Sequence, residues 1–120
     1  MLPTSVVWLI ASALLLLVGC NRRDPVEVSF FCEELCPACD TYKRAESITE
    51  RLAWIGKRNK NYSVESHNLI DPAATSILRD VIEKNGLPDV SLSIPLLFVG
   101  NTYYVGYDDI EAAVDALEAK

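Results

Sequence analysis

Three residues able to do covalent chemistry crowd into one short stretch. They are Cys32, Cys36 and Cys39, within Phe30-Phe31-Cys32-Glu33-Glu34-Leu35-Cys36-Pro37-Ala38-Cys39. The fourth cysteine, Cys20, lies apart. Cysteines this close cannot staple distant parts of a fold, so the spacing argues for catalysis or metal binding rather than a structural framework. An apolar run ends in this stretch and a helical pattern begins. A Cys-x-x-Cys pair at a strand-to-helix junction suits redox chemistry, because the helix end stabilises a thiolate. Cys36 is the expected nucleophile, with a pKa below the free-thiol value of about 8.5. Glu33 and Glu34 oppose that shift, but exposed carboxylates are screened. Cys36 would attack a substrate disulfide, or yield its own, through a mixed disulfide, and Cys39, one turn further in, would resolve it. Pro37 blocks a backbone donor near the sulfur and so tunes the redox poise.

Cys32 has three readings: a buried small apolar residue, a third redox-active thiol, or a metal ligand. With Cys36, Cys39 and the chain's one histidine, His67, it could complete a zinc or copper site of three sulfurs and one nitrogen. The favoured reading needs no metal and no cofactor. His67 itself falls on an expected strand, where a plain strand histidine is the simpler account. Trp54 and the tyrosines read as core and surface aromatics.

The chain has 120 residues, room for one domain. Every Lys, Arg, Asp and Glu follows Cys20, so that part carries the whole formal charge of -6. This balance argues against a nucleic-acid partner, which would call for basic patches. Val6 to Gly19 is almost wholly apolar and uncharged. It is short for a membrane span, which needs about 20 residues, and suits the apolar core of a secretory signal peptide. Residues 1–19 are therefore expected to be a signal peptide of lipoprotein type or a membrane anchor. Residues 20–25 would be a tether and 26–120 the domain. Arg22 and Arg23, which follow the apolar run, fit the anchor reading by the positive-inside rule.

The elements that must hold the cysteines follow in order. Val26 to Phe31 reads as a buried strand. Pro37 suits the first residue of a helix. Ala38, Tyr42, Ala45, Ile48, Leu52 and Ile55 then share one helical face, and the Lys57-Arg58-Asn59-Lys60-Asn61 run ends it. Tyr62 to Leu69 is a second strand. Asp71 caps a second helix with Pro72 at its first position, and Ala74, Ile77, Leu78 and Val81 form its apolar face. Ile94 to Val99 is a third strand, Gly100-Asn101 a hairpin turn and Thr102 to Val105 a fourth strand. Asp108 with Glu111 reads as a capping box for a last helix buried through Ile110, Ala113, Val114 and Leu117. The order β-α-β-α-β-β-α predicts a small mixed four-stranded sheet flanked by helices, with one right-handed parallel crossover.

That order, with Cys36-Pro37-Ala38-Cys39 before the first helix and Ile94-Pro95 opening the third strand, resembles the thioredoxin superfamily. Ser93-Ile94-Pro95 and Val105-Gly106-Tyr107-Asp108-Asp109 are most similar to the corresponding stretches of glutaredoxins. The resemblance covers about residues 26 to 118. It implies that Pro95 is a cis-proline facing the cysteines, where substrate docks, and that the backbone of Ile94 pairs with that substrate. It also implies a thiol-disulfide oxidoreductase, acting as a monomer on protein or small-thiol partners with a separate redox partner. Leu35 stands where thioredoxins have Trp, and Phe30 where they have a buried Asp. Glu33 and Glu34 stand where glutaredoxins often have a Lys that holds glutathione. Leu17-Val18-Gly19-Cys20 resembles a bacterial lipobox, which implies lipid on Cys20 and a membrane-anchored domain outside the cytoplasm. The alternative is a metal-binding protein of the same fold. Copper chaperones of that kind use Cys-x-x-x-Cys, the spacing of Cys32 and Cys36, plus a distant His. The Cys-x3-Cys-x2-Cys spacing also occurs in iron-sulfur radical enzymes, whose barrels need about 200 residues or more.

Overall fold

A computed structural model describes residues 24–87 and 93–120. The segment expected to be a signal or anchor, Cys20 and most of the expected tether lie outside the described residues. Among those described, no helix is long and apolar enough to cross a membrane.

Four strands and three helices alternate as expected: β1 (Val26–Cys32), α1 (Asp40–Arg58), β2 (Tyr62–Asn68), α2 (Pro72–Lys84), β3 (Leu96–Val99), β4 (Thr102–Val105) and α3 (Tyr107–Glu118). The sheet order is β2-β1-β3-β4. β1 runs parallel to β2 with Val26 beside Tyr62 and Cys32 beside Asn68. It runs antiparallel to β3, and β3 to β4. This is a small thioredoxin-like α/β fold.

Two cores follow from the alternation of β1. Val28, Phe30 and Cys32 point to one face, where Ala45, Ile48, Leu52 and Ile55 of α1 and Ile110, Ala113, Val114 and Leu117 of α3 cover them. Phe31 points to the other, against Leu78 and Ile82 of α2 and Leu96 and Phe98 of β3. Phe30 and Phe31 are both fully buried, so β1 is sealed on both faces, as a central strand with helices on each side must be. Gly56 lets α1 approach β2: a Cβ there would meet the Val64 side chain at 3.1 Å. Surface ion pairs also join α1 to α3, Arg51 to Asp115 and Glu118 being one set. Such pairs contribute at most about 1 kcal/mol each.

Two helix starts and one strand start differ from the sequence reading. β3 begins at Leu96, so Ile94 and Pro95 precede the strand instead of opening it, Pro95 having no N–H to give a ladder. α1 begins at Asp40, not at Pro37, because Cys39 holds an extended backbone with φ -84° and ψ 147°. Its carbonyl still accepts the first helical bond, from Lys43 N–H at 3.2 Å. α3 begins at Tyr107 behind Gly106, with no side-chain cap. The capping box of Asp108 and Glu111 does not form, because both carboxylates turn to Arg44, each at 2.6 Å. The Asp71 cap does form, accepting the Ala73 N–H at 3.1 Å.

Candidate functional site

Cys36 and Cys39 are joined in a disulfide with a Cα–Cα separation of 5.3 Å. The Cys39 N–H donates to the Cys36 carbonyl at 3.0 Å, closing a four-residue turn. Proline at the second position of that turn is pre-set for it by its fixed φ. Pro37 and Ala38 therefore sit in the turn, ahead of the helix. Both cysteines are exposed. Cys39 immediately precedes α1, so the disulfide lies off the helix end whose first N–H groups the helix itself leaves unused.

The loop into Cys36 is pinned by Glu34. Its carboxylate accepts from the Tyr107 hydroxyl and, at 3.0 Å, from the Thr41 hydroxyl. Its carbonyl accepts from the Asn68 side-chain amide at 3.1 Å. The end of β2 closes on the same loop, with Leu69 N–H donating to the Cys32 carbonyl at 2.7 Å. Burial and the Glu34 carboxylate push the Tyr107 hydroxyl well above its ordinary pKa, so it stays a donor. The Arg44 guanidinium lies 5.1 Å over the Tyr107 ring while holding Asp108 and Glu111. One loop is thus tied to α1, β2 and α3. In the sequence Glu34 is legible as a charge near the thiol, at a place where glutaredoxins often have a Lys, and not as an anchor for the loop. Its partner Tyr107 is 73 residues away, and no local pattern connects them.

The Ile94–Pro95 bond is cis. Register pairs Phe31 with Leu96, so Pro95, directly before Leu96, lies at the end of the sheet where β1 finishes at Cys32. Pro95 and the cysteine loop therefore leave the sheet at the same end. The Pro95 carbonyl accepts the Gly106 N–H at 3.1 Å, bringing the start of α3 there too.

Cys32 is a free thiol, 7% exposed, on the α1 and α3 face. Burial, and secondarily the Glu34 carboxylate, push it up to about 11. It borders a cleft of about 270 Å³ with Glu34, Tyr42, His67 and Asn68, beside the disulfide rather than at it. His67 stacks on Phe31 with ring centroids 5.2 Å apart, and its Nε2 lies 3.2 Å from Glu65. The His67 ring therefore packs on the α2 face, although the residue also borders the Cys32 cleft; Cys36 and Cys39 do not border it, so the four residues are not brought together. Among the described residues no three His, Cys, Asp or Glu side chains are grouped to hold a metal.

The arrangement presents one solvent-open disulfide on a loop pinned through Glu34, a geometry compatible with thiol-disulfide exchange. Comparison with family models, curated proteins and solved structures found no match.

Proposed function

We propose that the protein is a membrane-tethered thiol-disulfide oxidoreductase, working outside the bacterial cytoplasm through Cys36 and Cys39. The observation that carries the redox reading is the exposed disulfide closing the turn ahead of α1. The tether reading is supported by the apolar run Val6 to Gly19 and by Leu17-Val18-Gly19-Cys20.

In the reducing direction the dithiol form acts. The Cys36 thiolate attacks one sulfur of a substrate disulfide, forming a mixed disulfide and expelling the other substrate sulfur as a thiolate, which takes a proton from water. The Cys39 thiolate then attacks the Cys36 sulfur, closes the disulfide and releases the second substrate thiol. The substrate gains two electrons and the protein loses two, which a dithiol partner restores. The oxidising direction is the reverse. The reduction potential of the pair against the compartment's poise sets which one runs.

Serine variants of the full-length protein test the assignment. Cys39→Ser should accumulate disulfide-linked complexes with thiol proteins on non-reducing gels, because the nucleophile remains and its resolver is gone. Cys36→Ser should form none and should lose reduction of hydroxyethyl disulfide. Complexes carried by Cys36→Ser, or full activity in both variants, would overturn the proposal.

A further inference from the structure

Granting the disulfide-exchange reading, the surface around Cys36 defines its partner more closely. Glu33 and Glu34 stand in the loop before Cys36, and Asp40 follows Cys39 directly. Glu33 and Asp40 are exposed. The Gly106–Pro95 bond brings the start of α3 to the same end of the sheet, adding exposed Asp108 and Asp109. Among the described residues of these segments, two cations answer them. Arg44 is already matched by Asp108 and Glu111. Lys43 is exposed one turn into α1. The approach to the sulfurs is therefore negative, and a negative field raises the encounter rate of cations and lowers that of anions.

An independent feature adjoins it. Leu35, directly before Cys36, is 75% exposed. It is held there by a loop that Tyr107, Thr41 and Asn68 pin through Glu34, so it cannot simply fold inward. Exposed Pro37 and Ala38 continue its apolar surface. On the loop's other side Leu69 bonds to Cys32, and the next residue, Ile70, is 49% exposed. Exposed apolar side chains flanking the cysteine loop are surface that a bound chain would cover.

We infer that the site selects cationic polypeptides: a peptide disulfide flanked by Lys or Arg, with an apolar side chain that covers Leu35. Thiols rich in carboxylates meet repulsion from Glu33, Asp40 and the start of α3.

The test uses the reduced full-length protein in detergent and three disulfide-closed peptides of equal length, flanked by Lys, by Ser or by Glu. At low salt the Lys peptide should be reduced about tenfold faster than the Glu peptide, with Ser between. At 1 M salt, where screening acts within about 3 Å, the spread should collapse. Glu33→Gln with Asp40→Asn should narrow the spread. Leu35→Ser should slow all three peptides several-fold relative to hydroxyethyl disulfide. Equal rates for the three peptides, or the Glu peptide fastest, would overturn the inference while reduction of the Ser peptide left the redox function standing. An unchanged spread in the double variant would remove these carboxylates as its cause. Failure to reduce both the Ser peptide and hydroxyethyl disulfide would remove the redox function itself, and this inference with it.

Discussion

Cys32 and Cys36 are four residues apart and face different worlds. Cys36 is open to water, whereas Cys32 is buried among Phe30, Ala45 and the α3 side chains, where a thiolate is poorly solvated. Burial first and Glu34 second push the Cys32 thiol to about 11, so at neutral pH it is protonated and unreactive. Iodoacetamide at pH 8 should leave Cys32 unmodified in the folded, oxidised protein and should label it after denaturation; mass spectrometry reads both. Rapid labelling of the folded protein at pH 8 would contradict the burial. The folded-state pKa is raised, so the contribution is whole below the unfolded value of about 8.5 and is lost as pH rises towards 11. The melting temperature should therefore fall over that window, and Cys32→Ser should remove that part of the slope. The same variant should lose about 1–3 kcal/mol for burying a hydroxyl, and should keep reducing hydroxyethyl disulfide.

At the scale of elements, periodicity predicted the buried face of α3 in full and that of α2 in part, where Ile82 is buried and Ile77 and Val81 only partly so. Ile110, Ala113, Val114 and Leu117 are all buried, as their spacing requires. The helix starts were less legible because tertiary partners decide them. A disulfide and an extended Cys39 move the start of α1, and Arg44 draws both carboxylates away from the α3 cap. The pairing of Glu34 with Tyr107 was illegible for the same reason: it joins segments that only the sheet order brings together. Gly106 supports that junction. Its φ of 87° and ψ of 153° lie where residues with a Cβ are strained, while nothing stands within 4 Å of an added Cβ. The cost of Gly106→Ala is therefore backbone strain alone, about 1–3 kcal/mol. For a domain of this size each kcal/mol lowers the melting temperature by roughly 4–8 °C. Thermal denaturation measures it, and an unchanged midpoint would show that the turn relaxes freely.

For the whole molecule, β1 sets the direction in which the chemistry faces. The described chain enters the sheet at Val26 and leaves it at Cys32, four residues before Cys36. A strand of 7 residues spans about 20 Å, so the disulfide sits at the end of the domain away from the point where the described chain enters the sheet. If Cys20 carries lipid, the five residues from Asn21 to Pro25 can reach no more than about 18 Å, which holds the entry of β1 near the bilayer. The sulfurs would then face the aqueous side, where protein partners arrive. Attachment would act on location and leave the chemistry alone. Cys20→Ala should lose metabolically incorporated fatty acid, change mobility through blocked processing, and reduce hydroxyethyl disulfide at the wild-type rate once solubilised. Label persisting in the alanine variant would exclude Cys20 as the lipid site. A loss of solubilised activity would mean that Cys20 takes part in the exchange, and the separation between tether and reactive end would not hold.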